Sequence, residues 1–238
     1  WASGKSELEP ISRQLTHSLF QSVRLLRWRM GLGGSHYPFN PAGFYWAVPA
    51  ESPRWTQIPV PGTATASDEV VPRITHEIGQ QVVGLIKREV EEPLAHAMWR
   101  EAWTQLKSNP RSALVIGVAA AEVGLKRCFA ALAPVTQWLL EETQAPPIAK
   151  MLKNYLPQLT DRAKHTPVPA DLRNVLDNMA TARNHLVHRG EMERDWRQLG
   201  SDLIAVKDLL YLLDYYQGQD WALERLSPSV ADATHPSH

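Results

Sequence analysis

Between Thr181 and Gly190 the sequence reads "TARNHLVHRG", which gathers an arginine, an asparagine and two histidines into one short stretch. These side chains can transfer protons and hold an anionic group. Imidazole titrates at about pH 6.5 and so gives or takes a proton near neutrality. Guanidinium offers a planar fork of donors that fits phosphate oxygens, and a side-chain amide can orient such a group. At about 100° per residue, Leu172, Val175, Leu176, Met179, Leu186 and Val187 fall within roughly 60° of one direction, which defines a core face. Arg183 lies only about 20° from the centre of that stripe, whereas Asn184 and His188, one turn apart, lie roughly 120–160° away.

An arginine on a core face needs an anionic partner, because an isolated buried charge is costly. Glu122 is the candidate: it is the one acid inside the apolar run "VIGVAAAEVGL" and meets the same difficulty with opposite sign. The spacing therefore predicts an Arg183–Glu122 pair, with Arg183 partly reaching a cleft. Spacing alone does not separate a functional cluster from a structural ion pair beside a solvated histidine and asparagine.

The run "RNHLVHRG" resembles the signature of the HEPN superfamily, helical domains whose nuclease members carry arginine, a polar residue (often asparagine), three further positions and then histidine. Arg183, Asn184 and His188 match these places in order. The motif also stands late in a helix, after a helical hairpin whose second helix bears an acid, as in that superfamily. The resemblance spans roughly residues 68–216, but its specific part is eight residues long. A branch paired with nucleotidyltransferases often has tyrosine two residues after the histidine; Gly190 occupies that place here, which argues against modification there.

The resemblance implies an all-α, HEPN-like bundle that cleaves RNA without metal or other cofactor, at a site built across a homodimer. A 2′-hydroxyl attacks the adjacent phosphate, His188 serves as acid or base, Arg183 holds the phosphate and Asn184 positions it. Glu122 supports Arg183. Two copies of His188 related by a twofold axis supply both proton-transfer roles, and the expected products carry a 2′,3′-cyclic phosphate and a 5′-hydroxyl. His185 and Arg189 are secondary candidates for RNA contact. The implied setting is a bacterial toxin or antiphage effector in the cytoplasm, acting on a structured RNA such as tRNA and restrained by a regulatory domain or antitoxin-like protein. The alternatives are a HEPN-like module that dimerises or binds nucleotides without catalysis, and a purely structural helical scaffold.

Other motifs carry less. "GKS" at Gly4–Ser6 lacks the preceding strand and first glycine of a phosphate-binding loop, and "THEIG" lacks the second histidine of a zinc-protease helix. Arg189, Arg194 and Arg197 alternate with Glu191, Glu193 and Asp195, which reads as a solvated mixed-charge surface. Trp99, Trp103, Tyr211, Tyr215 and Tyr216 recur at helical spacing and read as packing or dimer contacts. His235 and His238 in the tail carry no meaning.

The elements that must position the motif follow from periodicity. A first helix places Ile11, Leu15, Leu19, Val23 and Leu26 on one face and stops at the glycines from Gly31. The stretch from Gly33 to Asp68 is rich in Pro and Gly yet carries Tyr37, Phe39, Phe44, Tyr45, Trp46 and Trp55, so an irregular wrap or short hairpin packed on another surface is expected. A long helix kinked at Pro93 follows, then a helix opening at Pro110 whose Gly117, Ala120, Ala121 and Gly124 admit a close neighbour. Asp171 is placed as the cap of the motif helix, Gly190 as its end, and a last long helix runs from about Glu193 to Tyr216. The expected division is 1–67 as an amino-terminal helix plus aromatic segment, 68–226 as the bundle and 227–238 as a disordered tail.

Composition bounds the rest. The 238 residues suffice for a substantial core, and 25 basic against 25 acidic side chains give no net charge, which removes the simplest case for non-specific binding to nucleic acid or anionic membrane. The single cysteine, Cys128, excludes an intramolecular disulfide and a cysteine-based zinc site, and reads as a buried thiol. No segment resembles a signal peptide or a membrane span. Because it opens on Trp1, the chain is expected to be a fragment or trimmed.

Overall fold

The structure, a computed structural model, describes residues 2–33, 44–46, 56–58, 74–142, 146–192 and 194–234. It is all-α apart from a hairpin of two three-residue strands, β1 (Phe44–Trp46) and β2 (Thr56–Ile58), paired antiparallel with Tyr45 opposite Gln57. That hairpin lies in the aromatic segment where one was expected; Tyr37, Phe39 and Trp55 fall outside the described residues, as do Glu193, His235 and His238. The helices are α1 (Ala2–Met30), α2 (His76–Lys87), α3 (Leu94–Gln105), α4 (Pro110–Leu132), α5 (Gln137–Glu142), α6 (Ile148–Asn154), α7 (Leu156–Leu159), α8 (Asp161–His165), α9 (Ala170–Arg189), α10 (Trp196–Tyr216) and α11 (Pro228–Thr234).

The main core joins α3, α4, α9 and α10, with α4 and α10 touching all the others. Asn109 caps α4 by accepting from the Ser112 amide, and Pro110 fills the first turn, where its missing N–H is no loss. The small residues of α4 do what their spacing predicts. A Cβ on Gly117 would stand 2.5 Å from Leu203, and one on Gly124 would stand 2.5 Å from Leu210, so α10 packs where only glycine leaves room. α10 is apolar nearly all round, with Leu203, Val206, Leu209, Leu210, Leu212 and Leu213 all buried, as befits a central helix. Cys128 is buried in this core as expected, and burial pushes its thiol up to about 12.

A smaller core ties the end of α1 to the bundle. Leu25 and Trp28 of α1 pack with Val82 and Leu85 of α2, Tyr211 of α10 and Ala222, so the end of α1 belongs to the bundle. Tyr211 donates its hydroxyl hydrogen to the Trp28 carbonyl at 2.7 Å. The expected stripe of α1 is only half used. Val23 and Leu26 are partly buried, Leu15 and Leu19 are 66% and 48% exposed, and the Ile11 side chain lies outside the described residues. Periodicity marks an apolar face but does not say how far along the helix a neighbour extends.

Three further expectations change. The helix expected to kink at Pro93 is two helices, α2 and α3: Glu89 takes φ 55°, and Pro93 stands as the amino-terminal cap of α3. Proline biases the preceding residue away from helical angles, and here the break is complete. Within the tail expected to be disordered, Pro228–Thr234 form α11, with Val230 and Thr234 buried. Ser227 anchors it, its amide and hydroxyl both donating to the Asp208 carboxylate, at 2.9 and 2.6 Å. Asp171 sits in the first turn of α9 and is not its cap; Pro169 holds that place without a side-chain bond.

Candidate active site

α9 buries Leu172, Leu176 and Met179, with Val175 and Leu186 half-buried, so the expected core face is real over most of the helix. Val187 departs from it and is 58% exposed, although the neighbouring Leu186 packs against the core. Gly190 ends the helix with φ 74° and donates its amide to the Leu186 carbonyl at 2.9 Å. A side chain there would be strained in that left-handed conformation. The stop fixes His188 and Arg189 in the final turn, where the positive charge of Arg189 opposes the negative end of the helix dipole.

Arg183 and Glu122 meet as the spacing predicts: Arg183 Nη2 donates to Glu122 Oε1 at 2.5 Å, with side chains 22% and 16% exposed. The pair bridges α9 and α4. Burial raises the Glu122 carboxyl above its ordinary value of 4.5, outweighing the charges of Arg183 and Lys126 and the Arg183 hydrogen bond, which pull it down. Arg183 Nε is buried without a hydrogen-bond partner. The guanidinium is thus held on one prong.

Asn184 and His188 are both exposed, lie one turn apart and make no side-chain hydrogen bond among the described residues. On a regular helix they share a face that lies about 100–140° from Arg183. One chain therefore brings Asn184 to His188 and Arg183 to Glu122, but sends the two pairs to different flanks of α9.

His185 is exposed and lines a groove of about 290 Å³ together with Asn178, Thr181, Glu191, Arg194 and Gln198. Arg189 is exposed. Arg194 is bound to Asp202, whose carboxyl is raised by burial and lowered by Arg194, so it ties the loop before α10 to that helix and is not part of a free basic track. Trp99, Tyr211 and Tyr216 are packing residues as expected, each with its polar atom bonded to a backbone carbonyl: Leu203, Trp28 and Thr166 respectively. Among the described residues no group of three histidines, cysteines or acids could hold a metal, and no helix is long and apolar enough to cross a membrane.

Sequence reasoning missed two polar centres. Asp214 Oδ2 accepts from Trp28 Nε1 at 2.7 Å and meets His96 Nε2 at 2.8 Å, and this buried cluster borders a cavity of about 320 Å³ that Glu91, Glu92 and Arg127 also line. The signal that found Glu122, an acid within an apolar run, was equally present for Asp214 in "LLYLLDYY". The second centre surrounds Trp196, which opens α10 and has Lys107 at 5.6 Å and Arg197 at 5.3 Å from its ring centroid. No family model matches the chain, and no significant match was found among curated proteins or solved structures.

Proposed function

We propose that the chain is a HEPN-type, metal-independent endoribonuclease whose site is completed by a second copy of itself. The observation that carries this reading is the exposed, unpartnered Asn184–His188 pair at the end of α9, on the same helix as an Arg183 that Glu122 holds on one prong. Both side chains are exposed and make no hydrogen bond among the described residues, so a ligand reaches them without breaking a contact of the fold.

In the reaction, His188 takes the proton of the 2′-hydroxyl as its oxygen bonds to phosphorus. The bond from phosphorus to the 5′ oxygen breaks, and the imidazole of the second copy protonates that leaving oxygen. Arg183 donates from Nη1, which is neither buried nor bonded to Glu122, to the phosphate oxygens, and Asn184 orients the group. The separation of Arg183 from His188 around α9 is met by the twofold arrangement, in which the flank of one copy faces that of the other. The proposed setting is a bacterial toxin or antiphage effector acting in the cytoplasm on a structured RNA such as tRNA, under the control of a regulatory domain or antitoxin-like protein.

A non-catalytic module that dimerises or binds nucleotides is the second reading, and the same separation of Arg183 from His188 is what favours it. Cleavage of total RNA and tRNA in EDTA decides between them. The nuclease yields fragments with 2′,3′-cyclic phosphate and 5′-hydroxyl ends; cleavage that stops in EDTA, or fragments with 3′-hydroxyl ends, would contradict the mechanism.

A further inference from the structure

Trp196 is 44% exposed at the first turn of α10. Lys107, just past the end of α3, stands over its ring at 5.6 Å from the centroid, and Arg197 at 5.3 Å. With Trp103 and Ile204 they line a groove of about 460 Å³. No acid lines it, and neither cation is paired with a carboxylate among the described residues. The cavity at His96 is the opposite, with Glu91, Glu92 and Asp214 in its wall. In a chain of zero net charge, an aromatic floor with two free cations is a local departure from the average.

We infer that this groove is a platform for single-stranded RNA, with an unpaired base stacked on Trp196 and its flanking phosphates held by Lys107 and Arg197. Stacking on an indole is open to any base, because every base has a π-face, and cations beside it follow the backbone. Both cations stand near the outer limit of cation–π range, so a base can take the ring while they turn to the phosphates. Trp196 follows His188 by eight residues, a contour of at most about 28 Å, and the exposed Arg189 lies between them. The platform rests on the nuclease reading of α9 and adds to it the substrate class: an RNA with an unpaired segment beside the scissile bond.

The test is titration of a short fluorescein-labelled oligouridylate into the full chain carrying His188→Ala, so that binding is read without turnover. Adding Trp196→Ala is expected to weaken binding about tenfold or more, and Trp196→Phe, which keeps an aromatic face, less than about threefold. Lys107→Ala with Arg197→Ala is expected to reduce the slope of log affinity against log salt by about 1.4, two phosphate contacts to a single strand. Absence of binding, affinity unchanged by Trp196→Ala, or a change in oligomeric state with RNA affinity intact would overturn the platform. Cleavage of the same RNA by the unsubstituted chain is scored separately. Trp196-dependent binding without cleavage keeps the platform and discards the nuclease, whereas cleavage with a KM indifferent to Trp196→Ala keeps the nuclease and discards the platform.

Discussion

His96 and His188 are the same side chain in opposite circumstances. His96 is 2% exposed, its Nε2 stands 2.8 Å from Asp214, and its ring leans on Tyr211 with centroids 4.8 Å apart. His188 is exposed at the end of α9 and has no described partner. Around His96 the hydrogen bonds offset the cost of burying polar groups, and they join α1, α3 and α10 through one carboxylate. Around His188 there is no such cost and no such gain. The first cluster is explained by what it holds together; the second holds nothing together among the described residues and faces solvent.

The contrast can be broken most severely at its buried end. Asp214→Ala leaves Trp28 Nε1 and His96 Nε2 buried without their acceptor, and about 3–5 kcal/mol of stability should be lost. Urea or thermal unfolding measures it, and a loss below about 1 kcal/mol would mean that the cluster is not structural. Ser227→Ala is a smaller probe of the same rule. It removes one of two bonds to the buried Asp208 and should cost about 1–2 kcal/mol, with α11 exchanging its amide hydrogens faster. Unchanged exchange in α11 would show that Asp208 does not anchor the tail.

The smallest effect lies in pH. Burial raises the Asp208 carboxyl above its ordinary value of 3.8, against the opposing Ser227 hydrogen bonds and Lys207 charge. The folded chain then keeps a proton that the unfolded chain has released. The stability this group contributes is complete below 3.8 and falls as pH rises through the raised value. Asp208→Asn carries no charge at any pH, so its stability relative to the parent should improve as pH rises across that interval. Urea midpoints at several pH values test this, and a difference that is flat or runs the other way would reverse the assignment.

How far these regions were legible in the sequence depends on whether a residue's fate is set by its own helix or by another. Arg183 on the core face of α9 and Glu122 inside an apolar run each needed a partner, and the two found each other. The glycines of α4 likewise announced a close neighbour, which is α10. Asp214 gave the same signal as Glu122, an acid inside an apolar run, whereas Asp208 follows Lys207 and reads as part of a surface charge pair. Leu15, Leu19 and Val187 mark the other limit. Each fits an apolar stripe and each is exposed, because periodicity marks a face without saying what covers it. Trp196 was hidden for a related reason: its groove is completed by α3, distant in sequence. The Arg183, Asn184 and His188 pattern was legible as types and spacing, and its two flanks followed from the helical turn.

The central claim is that the exposed pair on α9 performs chemistry. It is tested most directly by His188→Ala, with RNA cleavage in EDTA and thermal unfolding measured on the same preparation. The account predicts cleavage reduced by about 10²–10⁴-fold, the usual range for a general acid–base group, with stability within about 0.5 kcal/mol of the parent. Equal cleavage by both proteins, or a loss of cleavage that merely tracks a loss of folding, would contradict it.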